Sequence, residues 1–111
     1  MQAMNEHRLA EERSLALHRE VAAILGRNPS KLEIARERVQ GWQREGTVHA
    51  HYADAWAEVI AGPFEALLQL LVDDSENARA LRQVTPFSGL VDPRTRWRIW
   101  REVKERWTES A

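Results

Sequence analysis

Residues 10–46, AEERSLALHREVAAILGRNPSKLEIARERVQGWQREG, hold two apolar stripes with helical spacing, separated by a glycine, an asparagine and a proline. The first stripe consists of Ala10, Ser14, Leu17, Val21 and Ile24. The second consists of Leu32, Ala35, Val39 and Trp42, with Ile34 on the opposite side. Side chains three and four residues apart share one helix face. This stretch therefore predicts two amphipathic helices and an all-α fold.

The residues between and after the stripes predict where these helices begin and end. We expect Gly26 to end the first helix in the left-handed conformation, which glycine adopts without steric cost. Asn28 is then expected to be the N-cap of the second helix and Pro29 its first residue, where a backbone N–H is not needed. Gly46 is expected to end that helix.

The same pattern continues through the middle of the chain. Residues 52–60 and 64–72 predict a third and a fourth helix, divided by Gly62 and Pro63. The fourth helix is apolar on most sides, so we expect it to be the central, most buried one. Tight turns are expected between the first and second helices and between the third and fourth.

The last third of the chain predicts one short and one long helix. Ser75 is expected to cap a helix that reaches Gln83, and Asp92 with Pro93 to open the last helix. No alternating strand pattern interrupts the sequence. We predict a compact all-α bundle of five or six helices in a single domain over residues 1–111, with fraying at 1–6 and 108–111.

Composition limits the class of protein. The chain has 111 residues, of which 43% are hydrophobic and 30% charged, with no cysteine and a net charge of −1. A near-neutral balance argues against a generic nucleic-acid binder, and the lack of cysteine excludes disulfides and thiolate sites. The charged start is no secretory signal, and no apolar run of about 18 residues exists. We therefore expect a cytoplasmic protein without a membrane partner.

The charges are unevenly distributed along the chain. Residues 45–78 carry seven acidic side chains and no Lys or Arg, whereas residues 79–107 carry eight basic and three acidic ones. Two interpretations are open. The acidic middle and the basic end either pair across the fold or form a surface for a charged partner.

The segment RTRWRIWREVKERW at 94–107 holds three of the five tryptophans. At about 100° per residue on a helix, a core face forms from Ile99, Trp100, Val103 and Trp107. Trp97 points away from that face, among Arg94, Arg98, Arg101 and Lys104. Tryptophan and arginine are enriched in binding hot spots, and an indole attracts cations. Either Trp97 packs under the TPFSG loop while the arginines pair with the acidic middle, or this face binds a partner.

Two residues of that loop join the candidate surface. Phe87 is either a plug for the bundle or an anchor for a partner, and Pro86 precedes it. The predicted partner-binding residues are Pro86, Phe87, Arg94, Trp97, Arg98, Arg101 and Lys104.

Catalytic and metal-binding patterns are not expected. His49 and His51 form the one close histidine pair, but no third ligand is positioned by the sequence, so a solvated loop is the favoured interpretation. Asp73 and Asp74 are better explained by capping chemistry than as a catalytic dyad. No phosphate-binding loop or hydrolase motif occurs. We expect no enzyme activity, no cofactor and no metal, and we expect His18 to be half-exposed.

Three segments resemble a known group of proteins: RSLALHREVAAIL at 13–25, LLVDDSENARALRQVTPFSGLVDP at 70–93 and RWRIWREV at 96–103. The pattern LRQ-x-x-PF-x-G-x-x-x-P-x-x-RW-x-I is specific enough to support the grouping. The chain resembles small bacterial helical proteins that look like antitoxin components of two-gene toxin–antitoxin modules. It is also similar to segments that follow Xre-type helix-turn-helix domains in some regulators. The resemblance implies a protein partner encoded next door and supplies no catalytic residues.

The sequence departs from the regulators in one respect. About a dozen residues precede RSLALH, so we expect no N-terminal DNA-binding domain. The segment 76–100 is also a poor helix-turn-helix, because that motif uses a turn of about three or four residues.

Together these observations predict a non-enzymatic, antitoxin-like subunit that binds a protein. The alternative is a nucleic-acid-binding regulator that uses the basic last helix. A homo-oligomer is also open, because the off-stripe residues Leu15, Ile34 and Leu70 are either scattered surface residues or a seam between copies.

Overall fold

The computed structural model describes the backbone of residues 2–110 and the side chains of residues 6–108. It contains six α-helices: α1 (Gln2–Arg27), α2 (Leu32–Glu45), α3 (Ala50–Ala61), α4 (Phe64–Val72), α5 (Glu76–Arg82) and α6 (Pro93–Ser110). Short 3₁₀ turns occupy Pro29–Lys31 and Ser88–Leu90, and no strand occurs within residues 2–110. The predicted all-α bundle of five or six helices is confirmed.

The two glycines expected to end helices behave differently. Gly46 follows α2 with a φ of 69° and its N–H donates to the Trp42 carbonyl oxygen, so its predicted role is confirmed. Gly26 lies inside α1, and the prediction that it ends the helix is wrong. The Asn28 N–H donates to the Ile24 carbonyl oxygen at 2.8 Å, which carries the helical bonding past the glycine.

Pro29 opens the connection between α1 and α2 as a 3₁₀ turn. Asn28 precedes it, but its side chain makes no cap hydrogen bond to the backbone. Its Oδ1 accepts from the Ser30 hydroxyl at 2.7 Å instead. The position of the boundary was therefore predictable, whereas the capping bond of Asn28 was wrong.

The caps of the last two helices agree with the sequence. Ser75 Oγ accepts from the Ala78 N–H at 3.3 Å at the start of α5. Asp92 Oδ1 accepts from the Thr95 N–H at 2.9 Å, and its Oδ2 accepts from the Thr95 hydroxyl at 2.8 Å. These bonds satisfy donors that the first turn of a helix leaves unpaired.

α1 is the helix around which the bundle is built, since it packs against α4, α5 and α6, while α2 packs against α3. The expectation that α4 is the most buried helix is wrong: Leu67 and Leu71 are buried, but Val72 is 41% exposed. Tight connections do join α1 to α2 and α3 to α4. The most extensive packing, however, is between α2 and α3 and between α1 and α4.

The buried stripe of α1 is rotated relative to the predicted one. Its buried members are Leu15, His18, Val21 and Leu25. Leu15 therefore belongs to the core and is not available as a seam between copies. On α2 the stripe is as predicted, because Ala35 and Val39 are buried and Ile34 is 54% exposed.

The helices reach into the terminal segments for which fraying is predicted, since α1 begins at Gln2 and α6 ends at Ser110. Met1 and Ala111 lie outside the described residues. Within the part of the chain that the structure describes, no helix combines the length and the apolar character that crossing a bilayer requires.

Candidate functional site: a tryptophan platform on α6

α6 presents one face to the core and one to solvent. Ile99 and Val103 are 8% and 3% exposed, whereas Trp97 and Trp100 are 57% and 38% exposed. The prediction that Trp97 lies off the core face is confirmed. The placement of Trp100 in the core face is wrong, because the face of α6 that meets the bundle is narrower than the predicted stripe.

The two exposed indoles are stacked on each other. The ring centroids of Trp97 and Trp100 lie 5.2 Å apart, and the ring planes differ by 10°. Residues three apart are neighbours on a helix surface, so the spacing of these two residues places the rings together. We call this pair the tryptophan platform. The pair forms an exposed apolar cluster among charged side chains.

Cations border the platform from two helices. The Arg13 guanidinium carbon, from α1, lies 3.6 Å from the centroid of the Trp100 ring, and Lys104 Nζ lies 5.5 Å from the same centroid. Such contacts are favourable because the face of an aromatic ring is electron-rich. The contact of Arg13 with Trp100 could not be predicted from local sequence, since Arg13 is far from α6 along the chain.

The arginines of α6 are not neutralised by the acidic middle of the chain. Arg98 pairs with Glu102 on its own helix at 3.9 Å, and Arg79 pairs with Asp74 at 3.1 Å. Among the described side chains, no ion pair is found for Arg94 or Arg101. The interpretation in which these arginines pair with residues 45–78 is therefore not what the structure shows.

Five of the seven predicted contact residues lie exposed on α6, around the platform: Arg94, Trp97, Arg98, Arg101 and Lys104. Their exposure is a requirement for binding, and binding itself stays a prediction. The other two, Pro86 and Phe87, are fully buried. Their assignment as partner contacts is corrected: they fill the core.

The loop that carries Phe87 is fixed by Trp56 of α3. The Phe87 ring meets the Trp56 ring edge to face, with centroids 5.5 Å apart. Trp56 Nε1–H donates to the carbonyl oxygens of Val84 at 2.6 Å and Leu81 at 3.2 Å. Phe87 therefore fills the core as a plug, which is one of its two predicted roles.

His18, expected to be half-exposed, is 1% exposed and fully hydrogen-bonded. Its Nδ1 lies 2.7 Å from the Ser14 carbonyl oxygen, which can only accept, so Nδ1 carries the proton. Nε2 then accepts from the Thr85 hydroxyl at 2.8 Å, and Thr85 Oγ1 accepts from the Phe87 N–H at 3.1 Å. Burial, with the nearby charge of Arg82, lowers the pKa of His18 to about 4, so the ring is neutral at neutral pH.

The other candidate groups have structural roles. His49 Nδ1 accepts from the His51 N–H at 3.0 Å and caps α3. Asp73 accepts from the Ser75 hydroxyl at 2.8 Å, and Asp74 pairs with Arg79. Within residues 6–108, no three His, Asp or Glu side chains are grouped closely enough to hold a metal ion.

Comparison of the chain with models of protein families, with curated proteins and with solved structures finds no match.

Proposed function

We propose that this chain is a non-enzymatic protein-binding subunit, an antitoxin-like protein that neutralises a partner in the cytoplasm by forming a complex with it. The partner is expected to be the product of an adjacent gene. The observation that carries the proposal is the tryptophan platform, stacked and exposed on α6 beside unpaired arginines.

The exposed rings of the tryptophan platform are in contact with water, which favours their burial by a partner. When a partner covers these large apolar rings, apolar surface is removed from water, and this makes the free energy of binding more favourable. Arginines at the edge supply directional hydrogen bonds and electrostatic steering. Tryptophan and arginine are the residues that most often dominate the binding energy of an interface. An acidic or polar-rimmed surface on the partner, with an apolar centre, fits this arrangement.

Capture of the partner from the native cell lysate tests the proposal. The tagged protein is incubated with a nuclease-treated lysate, and retained proteins are identified by mass spectrometry. The test variant is Trp97→Ala with Arg101→Ala. The matched control is Ile34→Ala with Arg44→Ala, which removes an exposed apolar residue and an exposed arginine from α2.

We expect wild type and control to retain one stoichiometric protein that the test variant loses. The neighbouring gene product, produced alone, should inhibit growth, and co-production of this chain should relieve the inhibition. Retention by all three chains would show that the platform is not the binding surface. Absence of any stoichiometric protein would contradict the proposal as a whole.

A second candidate, a nucleic-acid-binding regulator, is favoured by the same arginines, since stacked aromatic rings beside cations also bind exposed bases. It predicts steeply salt-dependent binding to its own promoter region, because each neutralised phosphate releases counterions. Against it, Glu102 and Glu105 lie on the same helix and dilute the positive charge. Binding that is absent, or insensitive to salt, would remove this candidate.

A further inference from the structure

A second feature lies behind the tryptophan platform, between α1, α5 and α6. It is a partly open cavity of about 210 Å³ whose lining includes three arginines, Arg13, Arg82 and Arg96, and no acidic residue among the described side chains. The rest of its wall is mainly apolar, from Leu17, Ile99 and Trp100. Three cations around one small space repel each other, so the fold accepts an electrostatic cost here.

Arg82 is 3% exposed, and only part of its guanidinium is paired. Its Nη1 donates to the carbonyl oxygens of Leu70 and Asp73, which closes the end of α4. Its Nε–H is buried and has no hydrogen-bond acceptor among the described protein atoms. Buried donors are nearly always paired, and Arg82 is also one of the residues that line the cavity.

Arg13, another residue that lines the cavity, has the same property. Its Nε–H is also buried without an acceptor among the described atoms, while the guanidinium lies on the Trp100 ring. Burial lowers the pKa of both Arg13 and Arg82 from the ordinary arginine value. Arg96, on the exposed side of α6, adds a third cation for which the described residues supply no ion pair.

The neighbouring polar groups are already occupied. The Thr85 hydroxyl donates to His18 and accepts from the Phe87 N–H. Glu11 lies in the adjoining groove and pairs with His7 at 2.9 Å and Arg79 at 3.8 Å. The donors left for a ligand are therefore those of the arginines.

These observations select the chemistry of the ligand. A guanidinium matches the two oxygens of a carboxylate in geometry and charge. A phosphate brings more oxygens than a carboxylate, and those that meet the apolar part of the wall would stay unpaired, which is costly. The apolar part of the wall fits a short hydrocarbon stem.

We propose that this cavity binds a carboxylate on a short apolar stem, held by Arg13, Arg82 and Arg96. The carboxylate belongs either to a free small acid or to the Glu or Asp side chain of a protein. The site is distinct from the platform, although Trp100 borders both, and it does not depend on the proposed function.

The test follows the Nε–H signals of Arg13 and Arg82 by ¹H–¹⁵N NMR at neutral pH. Three probes are titrated separately: propionate, inorganic phosphate, and acetyl-Ala-Glu-Ala-amide, whose one carboxylate is the Glu side chain. We expect propionate to shift both signals saturably and to raise the midpoint of thermal unfolding. Phosphate is expected to bind more weakly than propionate.

Variants locate the site. Arg13→Gln and Arg96→Gln should each weaken propionate binding by about tenfold, as expected when a charge-assisted hydrogen bond is lost. Arg44→Gln, which changes an exposed arginine of α2 outside the cavity, is the matched control and should bind as wild type does. Arg82 is left intact because it also closes α4. A thermal melt of each variant verifies folding.

Binding of the peptide as tightly as propionate would support the site and identify a protein side chain as the source. Binding of propionate alone would support it with a free acid as the source. Phosphate binding at least as tight as propionate binding would overturn the choice of carboxylate. No saturable shift of either Nε–H signal, or equal binding by Arg13→Gln, would overturn the site.

Discussion

His18 shows how one residue can escape a prediction based on hydrophobic pattern. A stripe at Leu15, His18, Val21 and Leu25 has helical spacing, but the histidine breaks it when only apolar residues are counted. Burial of His18 depends on two hydrogen bonds. The ring donates to the Ser14 carbonyl oxygen and accepts from the Thr85 hydroxyl. Thr85 is remote in sequence, so this partner could not be predicted from α1.

Protonation of His18 should destabilise the fold. Burial lowers its pKa to about 4 in the folded protein, below the ordinary histidine value of 6.5, so between these values the unfolded chain binds a proton that the folded chain does not. Stability is then fully present above pH 6.5 and falls as the pH drops towards about 4, by up to about 3 kcal/mol. Urea unfolding at a series of pH values measures this loss.

The controls for that prediction are two histidine variants on α1. His7→Gln changes an exposed residue and should keep the pH dependence of wild type. His18→Gln should lower stability at neutral pH and flatten the dependence between pH 4 and 6.5. Equal slopes for wild type and His18→Gln would show that another group causes the loss.

Truncation of Phe87 should lower stability much more than truncation of Trp97. Phe87→Ala leaves a cavity beside Trp56 and should lower the free energy of unfolding by about 3–5 kcal/mol. Trp97→Ala removes an exposed ring and one stacking contact, so a loss of about 0.5–1.5 kcal/mol is expected. Denaturant unfolding of both variants measures the difference. A larger loss for Trp97→Ala would contradict the assignment of plug and platform.

At the scale of the elements, local chemistry predicted more than tertiary packing did. Gly46, Ser75 and Asp92 were predictable, because a cap depends on residues within one turn. Gly26 was not, because the helical bonding continues through it to Asn28. The sequence pattern predicts a wider core face on α6 than the structure shows. The width of that face depends on the packing of α1 against α6, which the pattern does not contain.

The first turn of α6 tests whether a capping side chain stabilises the start of a helix in this fold. Asp92→Ala removes the acceptor for the Thr95 N–H and should lower the midpoint of thermal unfolding by about 5 °C. Asp92→Asn keeps a capping oxygen and should retain most of the stability. Differential scanning calorimetry of the two variants compares them. Equal midpoints for Asp92→Ala and wild type would show that the cap does not hold α6 in place.

At the scale of the whole molecule, α1 contacts both the loop before α6 and the tryptophan platform. It buries His18 against the loop before α6, and it sends Arg13 onto the Trp100 ring. The sequence predicts an arginine- and tryptophan-rich face on the last helix, and the structure exposes all five predicted contact residues of that helix. The contribution of α1 was not predictable, because the α1–α6 contact joins residues far apart along the chain.

The fold also determines which charges of the acidic and basic segments are paired and which stay exposed. The acidic segment 45–78 and the basic segment 79–107 meet through Arg79 and Asp74, while arginines of α6 stay exposed. A protein with a net charge of −1 thus keeps a locally positive, aromatic surface. Long-range steering of an acidic partner to that surface is expected to weaken as salt is added.

The most direct test of the central claim is the affinity of the captured partner for the tryptophan platform, measured by isothermal titration calorimetry. We predict that Trp97→Ala weakens binding by at least about thirtyfold, as for a hot-spot residue that contributes about 2 kcal/mol. Ile34→Ala, the matched exposed apolar residue on α2, should bind as wild type does. Equal affinities for wild type and Trp97→Ala, with both chains folded, would contradict the account.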